Sequence, residues 1–116
     1  MSTIKANTID SLNGVDEVSI PTLDKRMAKA WVNFNGAGAV TIRDSYNIAG
    51  ITDNGVGQYS ITFENQVPIG ARVASCNGAN FPDVGLGSTT VVSINTYTFA
   101  GALADVGVIS FQAFSN

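Results

Sequence analysis

Nine carboxylates, one thiol and no imidazole are the groups with which this chain of 116 residues could do chemistry. Without histidine, Ser-His-Asp and Cys-His nucleophilic catalysis and His-ligated zinc are excluded. Carboxylate acid–base catalysis needs two acids converging on one bond, and no such pair stands at a definable spacing. Asp10, Asp16, Glu17 and Asp24 crowd into the first 27 residues. Asp44 falls on a predicted strand, on the face of Ile42 and Tyr46, with Arg43 pointing the other way. It reads as a hydrogen-bonded structural or surface group. Asp53-Asn54-Gly55 lacks the alternating oxygen ligands and terminal glutamate of a calcium loop. Gly36-Ala37-Gly38 has no following helix and no third glycine at nucleotide-loop spacing. Cys76, alone, can form neither an intrachain disulfide nor a zinc cluster. It reads as a small buried apolar residue in a strand, with an intermolecular disulfide as the alternative. No enzyme activity, cofactor or metal is expected.

Binding is the remaining chemistry. Net charge is −3 and only Lys25-Arg26 with Lys29 gather positive charge, so no nucleic-acid partner is expected. No apolar run approaches the ~18 residues of a membrane helix, and Met1–Lys5 opens no apolar signal-peptide core; no membrane insertion is expected. Charged residues make up 13% of the chain against 45% hydrophobic. Its surface must then be Ser, Thr, Asn, Gly and apolar atoms, which suits a chain that covers itself with copies of itself. Residues 77–88, NGANFPDVGLGS, form the longest turn-rich stretch. Asn80, Phe81 and Asp83 there are the candidate ligand contacts; Phe81 folding back to plug the open end of the fold is the alternative reading. No stripe of exposed aromatics is evident.

The elements that must position these residues alternate with a period of two. Ala30-Val32-Phe34 define the apolar face of a first strand over 28–35. Trp31 lies opposite them with Lys29 and Asn33, which predicts a second buried surface; a subunit contact is favoured over another layer of the same chain. A second strand is predicted over Val40–Ala49 and a third over Gln58–Glu64, joined by a hairpin turn at Asn54-Gly55, residues that accept positive φ. A weak fourth strand covers Ala71–Asn77. A long fifth covers Thr89–Phe99, with Val91-Ser93-Asn95-Tyr97-Phe99 on one face and Val92-Ile94-Thr96 on the other. A sixth covers Val106–Phe114. Residues 1–27 read as an extended N-terminal arm, poor in apolar residues, and 28–116 as one head domain. Leu23–Ala30 could form one or two helical turns or stay coil. Six to seven short antiparallel strands read as an all-β sandwich.

The phrases AKAWVNFNG (28–36), Val40-Thr41-Ile42-Arg43-Asp44-Ser45-Tyr46-Asn47 and ITDNGVGQYSITF (51–63) resemble the C-terminal domain of bacteriophage tail-fibre and virion structural proteins, over about residues 28–68. The resemblance implies a small, trimeric β-sandwich displayed on a virion. Residues 1–27 would attach to other virion proteins or intertwine the trimer, with Ile4, Ile9 and Trp31 as subunit contacts. The head would touch the host surface, with a cell-surface glycan as the target class. A capsid or tail decoration or adaptor protein without receptor contact is the alternative, and a free carbohydrate-binding module is a third.

Overall fold

The computed structural model describes residues 8–10, 17–19, 27–78 and 80–115. Two three-residue strands, β1 (Thr8–Asp10) and β2 (Glu17–Ser19), pair antiparallel. The rest is an all-β sandwich of eight strands with no helix among the described residues. One sheet holds β3 (Ala28–Asn35), β4 (Thr41–Tyr46), β7 (Ala71–Cys76) and β10 (Ile109–Phe114) in the order β4-β3-β10-β7. The other holds β5 (Ile48–Gly55), β6 (Gln58–Phe63), β8 (Asn80–Val84) and β9 (Val91–Thr98) in the order β5-β6-β9-β8. Every pairing is antiparallel.

The central strands carry the core, because only they have neighbours on both sides and a facing sheet. Ala30, Val32 and Phe34 face Tyr59, Ile61 and Phe63, and Val92 and Ile94 face Ile109, Phe111 and Ala113, all of them buried. Burying each of the larger side chains contributes about 1.5–3 kcal/mol. Phe34 meets Tyr59 edge to face at 5.4 Å between centroids, a favoured arrangement. Cys76, expected to be buried, is half-buried and packs against this core, and burial pushes its thiol pKa up. Arg72 also turns inward, capping the sandwich with its guanidinium 5.2 Å over the Phe63 ring and bonds to the carbonyls of Leu86 and Val67.

Three expectations need correction. The single strand over Val40–Ala49 is two strands in different sheets, broken at Asn47, the one non-glycine residue at positive φ (58°) among the described residues. Asparagine tolerates that conformation. Its side chain secures the corner: Nδ2 donates to the carbonyls of Lys29 and Asn65, and Oδ1 accepts from the Asn65 amide at 2.7 Å. The hairpin turn lies at Val56-Gly57, not Asn54-Gly55. Asn54 is instead an unpaired bulge residue, the register passing from Asp53↔Tyr59 to Gly55↔Gln58. Gly57 takes the turn because its φ is +66° and a Cβ there would stand 2.6 Å from the Thr96 carbonyl oxygen. Arg43, by contrast, finds its partners on other elements, as expected, and is skipped by a bulge in the β3–β4 register. Its guanidinium bonds to the Gly107 carbonyl and the Asn33 side chain. The stretch 77–88 contains strand β8, at a sheet edge that tolerates Pro82. Ile4 and most of the arm lie outside the described residues, as do residues 23–26 of the possible helical turn; residues 28–30 are strand.

Candidate functional site

Strand direction gives the sandwich two poles. The chain enters it at Ala28, which pairs with Phe114 at the end of β10, so both ends of the sandwich lie at one pole. Asn47, Lys29 and Asn65 gather at this entry pole. At the far pole lie the Val56-Gly57 turn, the start of β8 and the end of β9.

The far pole carries the exposed aromatic cluster. Phe81 on β8 pairs directly across the ladder with Tyr97 on β9, a favourable cross-strand pair. Their rings lie 5.5 Å apart at 22°, and Phe99, just past β9, lies 6.5 Å from Phe81 at 14°. Three near-parallel rings thus sit together on the outer surface, with Phe81 41% and Phe99 76% exposed. A tight turn fixes Phe99: the Gly101 amide donates to the Thr98 carbonyl and the Thr98 amide to that of Ala102. One rung below, Gln58, Asn95 and Asp83 lie side by side across β6, β9 and β8, about 7 Å along the strands from the rings. The Asn95 amide reaches the Tyr97 hydroxyl at 3.5 Å.

Two of the three candidate contacts named from the sequence, Phe81 and Asp83, therefore share one outer face, and Asn80 sits between them and the preceding turn, half-buried, with its side chain donating to the Asn77 carbonyl. Phe81 does not plug the end of the fold. Sequence reasoning missed Tyr97, Phe99 and the amide pair. The signal was present: Val91, Ser93, Asn95, Tyr97 and Phe99 alternate onto one face of the fifth strand, but only strand β8 gives its aromatic end a partner.

Below this pole the two sheets are tied together. The buried Tyr59 hydroxyl shares its one proton between the Gly36 carbonyl at 2.8 Å and Asp105 Oδ1 at 3.0 Å, and the Gly57 amide donates to the same carboxylate oxygen. Burial, then the hydrogen bond to Asp105, raises the Tyr59 pKa well above its ordinary value. The carboxylate here holds structure; its partners are a phenol and an amide.

The entry pole carries a different surface. Trp31 pairs with Tyr46 across β3–β4, and the two line a shallow groove of about 410 Å³ with Met27, Ala28 and Lys29. Tyr46 and Met27 are more than half exposed, while Trp31 is half-buried. Ile9, the other expected subunit contact, belongs to β1. Among the described residues no group of three or more metal-ligating side chains exists. No family model, no curated protein and no solved structure matches this chain.

Proposed function

We propose that this is a bacteriophage virion structural protein, a tail-fibre or fibre-tip protein, tethered through residues 1–27 and touching the host surface with the far pole of its sandwich. The observation that carries the reading is polarity. The chain enters and leaves the sandwich at one pole, and three exposed aromatic rings stand at the other. The resemblance over residues 28–68 and the charge-poor surface point the same way. A cell-surface glycan fits the far pole. Sugar C–H faces carry partial positive charge and meet the negative face of an aromatic ring, while Gln58, Asn95 and Asp83 offer donors and acceptors to hydroxyls. The Trp31–Tyr46 surface serves contacts between copies, in a homo-oligomer of three. No catalytic step is assigned.

The same exposed rings favour a second reading, a free carbohydrate-binding module. Adsorption and mass in solution separate them. For the first reading, the full-length protein runs as a trimer and blocks adsorption of the phage to its host, and the double variant Phe81→Ala, Phe99→Ala stays trimeric but loses blocking at least tenfold, a change of about 1.4 kcal/mol. A monomer that binds polysaccharide supports the module. A trimer that never touches cells leaves a decoration or adaptor protein and removes the receptor role.

A further inference from the structure

The far pole also holds the Asn54-Gly55 pair. Three Asn-Gly pairs fall among the described residues: Asn35-Gly36, Asn54-Gly55 and Asn77-Gly78. Such pairs can cyclise when the glycine nitrogen attacks the asparagine side-chain carbonyl. That step requires the glycine N–H to lose its proton and the backbone to turn. The structure treats the three differently.

Asn35 pairs with Thr41, its Oδ1 accepts the Ala37 amide at 2.9 Å, and the Gly36 N–H is held by the Val106 carbonyl at 2.9 Å. Asn77 is pinned by two bonds to Val108, one through its amide and one through its Oδ1, both 3.2 Å. Asn54 is exposed and is the bulge residue, with no partner across the ladder. The Gly55 N–H, the proton that must leave, points at Asp53 Oδ1 at 3.0 Å, and the Asn54 side-chain nitrogen, the group that must depart, lies 2.7 Å from Ser60 Oγ.

We propose that Asn54 is a self-deamidation site with Asp53 as its general base. The Gly55 nitrogen bonds to Asn54 Cγ as its proton passes to the Asp53 carboxylate. The Cγ–Nδ2 bond then breaks, Nδ2 takes up a proton and leaves as ammonia, and a five-membered succinimide remains. Water opens that ring to aspartate or isoaspartate, so the product has exchanged an amide for a carboxylate and carries one more negative charge beside Ser60. No oxidant or other reactant is needed. The inference is independent of any virion role.

The test is peptide mapping by mass spectrometry of the full-length protein incubated at neutral pH, natively and in urea. In the folded protein Asn54 should convert about tenfold or more faster than Asn35 and Asn77, and this preference should vanish in urea, where the three pairs are equivalent. Asp53→Asn, which keeps an acceptor but removes the base, should slow the Asn54 reaction about tenfold or more and leave Asn77 unchanged. Circular dichroism checks that this exposed substitution leaves the fold intact. Equal native rates at Asn54 and Asn77, or a folded Asp53→Asn variant that converts as fast as the parent, would overturn the proposal.

Discussion

The two poles carry aromatic residues in opposite circumstances. At the entry pole Trp31 sits on a central strand with neighbours on both sides, and its ring is half covered by its own chain. At the far pole Phe81 lies on an edge strand and Phe99 beyond a strand end, and the cluster is covered mainly by its own members. A ring in mid-sheet contributes to the fold as well as to any partner. A ring at a rim is covered less and contributes less to stability. Polar ties differ too. The entry pole is held by one asparagine acting on its neighbours, and the far pole by a phenol and a carboxylate that join the two sheets.

Substitutions sharpen this contrast. The largest effect belongs to the entry pole. Asn47→Ala removes four hydrogen bonds and leaves a residue at positive φ that tolerates it poorly, with an expected loss of about 2–3 kcal/mol in urea unfolding. Asn47→Gly relieves the backbone but not the lost bonds, so it should recover about 1 kcal/mol of that. If the two variants are equally stable, the corner is held by packing and not by this residue. Next comes Tyr59→Phe, at about 1–2 kcal/mol, because it strands the buried Gly36 carbonyl. Its pH signature is distinctive. The folded Tyr59 pKa lies above the unfolded value near 10, so the tyrosine contribution is complete below pH 10. It is lost as pH rises beyond 10, where only the unfolded chain readily ionises. Alkaline unfolding curves should therefore be shallower in Tyr59→Phe than in the parent. The smallest effect belongs to the rim: Phe99→Ala should change stability by less than about 0.5 kcal/mol. A larger loss would mean that the cluster holds the fold together, and the contrast between the poles would fail.

The central strands were legible because alternation is strict where one face is buried. Ala30-Val32-Phe34 and Val92-Ile94-Thr96 each read as one face, and all six are buried. The edges were not. Asn47 stands inside an alternating run, and nothing local says that the run changes sheet there; its partners at Lys29 and Asn65 are distant in sequence. Asn54-Gly55 carries the strongest turn signal, yet the turn moved to Val56-Gly57, where close approach to Thr96 and Ala104 admits only glycine. Pro82 read as punctuation because its tolerance depends on lying at an edge. The candidate face was half visible for the same reason: Phe81 was named for its exposure, but Tyr97 and Phe99 became its neighbours only through the β8–β9 register.

The pairing of Ala28 with Phe114 also decides how the molecule answers a mechanical load. Pulling those two ends apart would unzip the β3–β10 ladder one bond at a time, since ladder bonds run across the strands. Pulling between Ala28 and the Phe99 rim runs along the strands instead, and many bonds must slip together. A load applied between the two poles therefore meets the sandwich in its stronger direction.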